Sequence, residues 1–434
     1  MEYTYTPSST TENSKMSRQT IIMQVINSIS NIVNIFVSSF LVSYIMSVNV
    51  DLPLSASLIS IGVYNISLYI VFTLVYFGIS FIVDKTSRIS IFRISLVVKG
   101  LFIILIIFLG RDIAKYAYIA GAVQGVADAL YWASYNVLKG EIVSRAHFNK
   151  YATLGSVLEK IIKIIFPVLI GFLIDISTFL NIAIYVFVIV VIQVILTFFI
   201  KCYKPKGAHF EPFKFLKALR SNTEDVKRVK RVYPVAFLHG FKTVIGSIIP
   251  ILTIYTFKTN LNLGIFTALT AFISIFVLLI FQKFTKYGKR KWFYLVIGLI
   301  MLVSSTIVAV WLQKWSYVLF HFVESMSYVV LSNRFDAERN ILIKKTGHYS
   351  DIAEHNFIIE TLLNVARIFG YILMVVLGLY LDILGLKILT IIVGISVPIL
   401  AIYESRVEKK EKELENQQKS QENSENPVEN QSKS

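Results

Sequence analysis

The sequence predicts an all-α membrane protein whose twelve transmembrane helices form two pseudo-symmetric six-helix halves. Three observations lead there. Of 434 residues, 55% are apolar or aromatic, only 16% are charged, and mean hydropathy is +0.65. A soluble chain of this size needs a more heavily charged surface. The apolar residues also come in blocks of about 20, the length that crosses a bilayer core at about 1.5 Å rise per residue. Finally, the formal charge of +16 sits in short connectors between those blocks and alternates from one side to the other.

Spans are expected near 21–47, 56–83, 89–110, 114–137, 152–174, 180–200, 233–257, 262–283, 291–312, 315–333, 355–381 and 385–403, and are numbered one to twelve in that order. Residues 51–53, 111–112, 258–262 and 313–314 read as tight turns. The chain then divides into a cytoplasmic N-terminal tail 1–20, an N-terminal bundle 21–200, a central cytoplasmic loop 201–232, a C-terminal bundle 233–403 and a disordered cytoplasmic tail 404–434. The first twenty residues are polar and carry neither the short apolar core nor the small-residue site of a cleaved signal, so the first span is expected to be retained.

Charge orients the spans. With the N-terminus in the cytoplasm, the outer connectors hold only Arg111, Lys115, Lys258, Lys314 and Lys387. The inner ones hold Lys85, Arg88, Lys139, Arg145, Lys150, the basic central loop, Lys283, Lys286, Lys289, Arg290, Lys291, Arg334, Arg339, Lys344 and Lys345. This positive-inside asymmetry persists along the chain and places both termini in the cytoplasm of a cell-membrane protein. Basic residues scattered over such loops form no basic face, so nucleic acid is not an expected partner. Cys202 is the only cysteine, which excludes an internal disulfide and a cysteine metal site. The chain carries no phosphate loop of the form Gly-x-x-x-x-Gly-Lys-Ser/Thr, no His-Glu-x-x-His pair and no Gly-x-Ser-x-Gly elbow. His321 and Glu324 share a helix face, but two ligands make no metal site. No cofactor, no metal and no enzymatic activity are expected.

The two halves show traces of duplication. A shift of 201 residues carries Lys85 onto Lys286, Ser87 onto Gly288, Arg88 onto Lys289, Glu159 onto Glu360 and Lys163 onto Asn364. The connector after the second span reads Asp84-Lys85-Thr86-Ser87-Arg88, and that after the eighth reads Thr285-Lys286-Tyr287-Gly288-Lys289-Arg290. With the span count, the central loop and these connectors, the chain resembles the major facilitator superfamily of secondary transporters. That family carries Gly-x-x-x-Asp-Arg/Lys-x-Gly-Arg-Arg/Lys after its second helix. Asp84, Lys85 and Arg88 match it, whereas Ser80, Ser87 and Ile89 depart from it. The antiporter Gly-Pro signature of the fifth helix is only hinted at by Pro167 and Gly171.

Ionisable groups at bilayer depth are costly and mark functional positions by default. Four spans carry polar stripes at helical spacing. They are Gln24, Asn27, Asn31, Asn34 and Ser38 on the first, Gln124, Asp128, Tyr131, Tyr135 and Lys139 on the fourth, His239 and Lys242 on the seventh, and His321, Glu324, Ser325, Tyr328 and Ser332 on the tenth. In the resembled fold these four helices line the central cavity. The expected substrate cavity is therefore Asn27, Asn31, Asn34, Gln124, Asp128, Tyr135, His239, Lys242, His321, Glu324 and Tyr328. The bland alternative is interhelical hydrogen bonding that only holds the bundle together. For Lys99, within the third span, Asp128 is a candidate partner. A second set, Asp84, Lys85, Arg88, Glu159, Lys163, Lys289, Arg290, Glu360 and Arg367, is expected to form a cytoplasmic gate. The alternative there is ordinary positive-inside loop charge.

These readings imply a secondary transporter for a small polar or amphipathic organic solute. It would work by alternating access as a monomer among membrane lipids, with protons as the candidate coupling ion through Asp128, Glu324, His239 and His321. The competing functions are a flippase for lipids or lipid-linked sugars on the same scaffold, and an integral-membrane enzyme, for which the sequence shows no catalytic cluster.

Overall fold

The computed structural model describes residues 16–82, 85–143, 147–201, 211–221, 223–285, 290–345 and 352–425. Among them, twelve long helices cross the bundle. They are α1 (Arg18–Val48, with a π-helical turn at Phe36–Phe40), α2 (Leu54–Ser80), α3 (Arg88–Leu109), α4 (Ala117–Ile142), α5 (Phe148–Ile176) and α6 (Phe179–Thr197). After the central connector come α7 (Glu224–Lys242 continued by Ile245–Phe257), α8 (Asn260–Thr285), α9 (Arg290–Val310) and α10 (Lys314–Lys345). The helix Ile352–Glu425 breaks at Asp382, which has φ 47, and so contains both α11 and α12. Nine of the twelve lie in stretches that are long, apolar and sparsely charged. The exceptions, α4, α5 and α10, carry Asp128, the set Glu159, Lys160 and Lys163, and the pair His321 and Glu324.

Local chemistry explains several boundaries. Ser17 accepts the Thr20 amide at 3.2 Å and starts α1, and Thr178 does the same for Asn181 at the start of α6. Thr243 marks the break in α7, where its amide bonds to the carbonyls of His239 and Gly240. Proline is also present inside α5 (Pro167), α7 (Pro234 and Pro250) and α12 (Pro398), as bilayer helices tolerate.

The structure departs from the sequence expectation in three places. The central loop is expected over 201–232, yet it contains the short helix Pro212–Ala218, and α7 begins at Glu224. Here α7 continues beyond the apolar span into charged sequence. The tenth helix runs past 333 to Lys345. The last helix runs past 403 to Glu425, so a disordered tail from 404 is corrected for residues up to 425. Glu, Lys and Gln dominate that stretch and favour helix intrinsically.

Packing is by halves. In the N-terminal half α2 and α3 lie on α4, α6 lies on α3, and α1 lies on α5 and α6. In the C-terminal half α10 lies on α8 and α9, and the α11–α12 helix lies on α7 and α9. Two seams join the halves, α2 against α11 and α5 against α8. The second part of α7 also meets the second part of α1 on the face that carries the tight turns. The backbones approach closely at the seams. A Cβ on Gly264 of α8 would collide with the Pro167 carbonyl of α5, and one on Gly62 of α2 with Val375 of α11. Outward faces remain apolar and exposed, as in Ile184, Val188, Ile192 and Ile195 of α6, the surface that hydrocarbon requires.

Candidate functional site between the two halves

In the N-terminal half the polar stripes of α1 and α4 converge with α2 and α3. Lys99 of α3 donates to Asn34 Oδ1 at 2.5 Å, lies 4.0 Å from Asp128, and stands 5.6 Å over the Tyr131 ring. Gln124 donates to Asp128 Oδ2 at 3.1 Å and accepts from the Tyr64 hydroxyl. Lys99 is enclosed, but the Asp128 side chain retains 21% of its accessible surface. The network therefore presents one partly open carboxylate backed by an ammonium, an arrangement that satisfies both charges. Below it Tyr131 stacks on Tyr135 at 5.4 Å, and Tyr135 meets the Tyr151 hydroxyl at 3.2 Å. Asn27 and Asn31 are half-buried beside this cluster on α1.

The C-terminal half is arranged differently. Lys242 is 1% exposed, its Nζ lies 5.1 Å over the Tyr328 ring, and it meets no hydrogen-bond acceptor among the described residues. Glu324 and Glu404 lie within electrostatic range of it, although no direct ion pair joins Lys242 to Glu324 among the described residues. His321 shares a hydrogen bond with Thr270 of α8 at 3.1 Å and packs on Phe266 and Tyr317. His239 stacks on Phe335 at 4.7 Å, and its Nδ1 has no hydrogen-bond partner among the described residues. Glu324, His321 and His239 are all buried. Tyr328 is the open member, 44% exposed on an otherwise buried helix face and within electrostatic range of Lys163 across the gap between halves.

The residues expected to form a cytoplasmic gate separate into groups. Lys163 bonds Glu159 at 2.6 Å on its own helix, both side chains are about two-fifths exposed, and they look toward Tyr328 and Tyr135. Arg367 sits near the middle of α11. Its Nε donates to Thr243 at 3.1 Å, its Nη1 donates to Asn364 at 2.8 Å, and its guanidinium lies 5.0 Å over the Tyr69 ring. Lys85 is exposed, Arg88 is buried and Glu360 is half-buried. Asp84, Lys289 and the side chain of Arg290 lie outside the described residues.

Sequence reasoning missed the polar seam between α2 and α11. Asn364 donates to Thr73 at 3.1 Å, Tyr371 shares a hydrogen bond with Ser247 at 2.8 Å, and Tyr69 stacks on Tyr371 at 6.0 Å. At the other seam Lys160 donates to Ser274 at 3.0 Å. On α2 the signal is Tyr69 and Thr73, one turn apart in a 27-residue apolar helix, too sparse to read as a stripe. Among the described residues no group of three or more His, Cys, Asp or Glu could hold a metal ion.

Several solved structures share this architecture. The nucleoside transporter NupG aligns with a TM-score of 0.66 at 12% identity, covering 91% of this chain and 100% of that one. A bacterial homologue of the iron transporter ferroportin, in an inward-facing state, aligns at 0.68 and 12% identity, covering 91% and 99%. The POT family transporter PepTSo aligns at 0.72 and 9% identity, again covering 91% and 99%. At such identities the likeness concerns the fold. In sequence, the uncharacterised protein YqgE of Bacillus subtilis (strain 168) is 22% identical over 374 residues, which is 83% of this chain and 84% of the relative. Residues 24–334 match the Major Facilitator Superfamily. With twelve helices, two seams and polar groups between the halves, the chain is a multi-pass membrane protein that belongs to the Major Facilitator Superfamily of transporters.

Proposed function

We propose that the chain is a secondary transporter that moves a small polar or amphipathic organic solute across the cell membrane by alternating access, with protons as the coupling ion. The observation that carries this reading is the set of partly open polar side chains between the halves. Asp128, Glu159 and Lys163 face it from the N-terminal half and Tyr328 from the C-terminal half. Charge at that depth is tolerated where it lines a watery space. The two bundles, 21–200 and 233–403, rock about their seams. Asp128, partly open beside Lys99, and Glu324, enclosed near Lys242, are the carboxyl groups placed to exchange a proton as the solute enters. The face bearing the N-terminus and the central connector is cytoplasmic, because the basic connectors lie there. Lys85, Arg88 and Glu360 act at that face as a gate, and the protein works as a monomer surrounded by lipid.

The test begins with purified protein screened by thermal shift against small carboxylates, amines, sugars and amphipathic drugs. Compounds that raise the melting temperature are then offered to proteoliposomes with and without a pH gradient. Uptake that grows with the gradient, and loses that dependence in Glu324→Gln or Asp128→Asn, supports the proposal. A compound that binds but is not moved under either condition contradicts it.

A further inference from the structure

The sequence Gly171-Phe-Leu-Ile-Asp175 closes α5, and Gly378-Leu-Tyr-Leu-Asp382 closes α11. Both aspartates reach across a seam to the first turn of a helix in the other half. Asp175 accepts the backbone amides of Asn260 at 3.0 Å and Leu261 at 2.8 Å, where α8 begins, and the Asn260 side-chain amide at 2.9 Å. Ser43 of α1 donates to Asn260 Oδ1 at 2.5 Å and extends this contact to a third helix. Asp382 accepts the backbone amide of Ser55 at 2.5 Å, where α2 begins. The N-terminal half thus caps a helix of the C-terminal half and is capped by it in return. The first amides of a helix lack intrahelical partners and carry the positive end of its dipole, so a carboxylate there both bonds and neutralises.

Two further features mark these contacts as more than ordinary caps. One turn before each aspartate stands a glycine in close contact with the partner half. A Cβ on Gly171 would collide with the Asn260 carbonyl, and one on Gly378 would lie 3.0 Å from Leu58 Cβ. Asp382 also holds φ 47 and ψ −122, a conformation that a non-glycine residue keeps only where surrounding structure imposes it. Both caps lie on the tight-turn face, where the second parts of α1 and α7 also pack together.

We propose that Asp175 and Asp382 form a pair of two-fold-related locks that hold the outer face shut, and that both caps must release for the transporter to open outward. The proposal rests on the alternating-access reading above. Rocking the halves apart at this face pulls each helix N-terminus off its carboxylate, so the two caps set the balance between inward- and outward-open states.

The test uses full-length protein in right-side-out vesicles, with Cys202→Ser and a single reporter, Ile248→Cys. Ile248 is 0% exposed in the outer part of α7. Labelling by a membrane-impermeant maleimide is slow in the parent. Asp175→Ala and Asp382→Ala each raise the rate about fivefold, the scale of one charge at a helix end, and together about 25-fold if the sites are independent. Asp112→Ala, which removes an exposed acid from the same face away from the seams, leaves the rate unchanged. Asp382→Gly relieves the backbone conformation but still accelerates labelling, which separates loss of the cap from loss of strain. Parental rates in both single variants and in the double variant overturn the locks, as does an equal rise in Asp112→Ala. Thermal unfolding run in parallel reports general loosening. If the rate rises only in variants that also lose the folded state, the caps are structural and the proposal fails. Failure of the transport reading has a different signature, a central reporter reached from one side alone in parent and variants alike.

Discussion

Lys99 and Lys242 are two ammonium groups enclosed at mid-span, one in each half, and the halves treat them in opposite ways. Lys99 has an amide oxygen at 2.5 Å, a carboxylate at 4.0 Å and an aromatic face. Lys242 has an aromatic face and distant carboxylates but no acceptor among the described residues. An enclosed charge with complete partners holds a bundle together, whereas one lacking an acceptor stores free energy that a proton, water or solute can release. The N-terminal half therefore looks built for rigidity, with Asp128 as its open edge. The C-terminal half looks built to change its protonation or its partner during the cycle.

The largest effect expected from this difference is on stability. Asp128→Ala leaves Lys99 enclosed without its carboxylate and should cost about 3–5 kcal/mol, read as a drop in the thermal unfolding midpoint. Adding Lys99→Met should restore most of the loss. If Asp128→Ala unfolds at the parental temperature, the N-terminal network is not a structural pair. Next in size is Tyr64→Phe. It removes the donor to the half-buried Gln124 and should cost about 0.5–1.5 kcal/mol, the range for one net hydrogen bond. Smallest in stability is Lys242→Met, expected within about 1 kcal/mol of the parent, since it removes a charge with no acceptor and keeps the side-chain volume. The same variant should reduce solute uptake more than tenfold. A large destabilisation with normal uptake would invert the roles assigned to the two lysines.

Much of this arrangement was legible in the sequence. Block length and loop charge predicted the span count, because the bilayer imposes a length on every crossing helix. Helical spacing puts Gln124, Asp128, Glu324 and Tyr328 on polar stripes, and Asp128, a candidate partner for Lys99 in the sequence, lies 4.0 Å from it. Long-range pairing was less visible. Arg367 reads as a gate residue because it follows Glu360 and Asn364 from the cytoplasmic end of α11, but its partners Thr243 and Tyr69 come from α7 and α2 and appear only when the halves are packed. The caps escaped for a different reason. A single offset of 201 aligns the connectors, whereas the two Gly-x-x-x-Asp segments are 207 apart, so small insertions between the halves hide the second repeat. The break at Asp382 has no proline or glycine at the position itself to announce it.

Alternating access requires that the space between the halves open to each side of the membrane in turn. Tyr328→Cys in a Cys202→Ser background checks this, because Tyr328 is 44% exposed and lies within electrostatic range of Lys163 in the other half. A membrane-impermeant thiol reagent should label it in both right-side-out and inside-out vesicles. Asp175→Ala combined with Asp382→Ala should raise the first rate and lower the second. Labelling from one side only, unchanged in the double variant, would contradict alternating access in this protein.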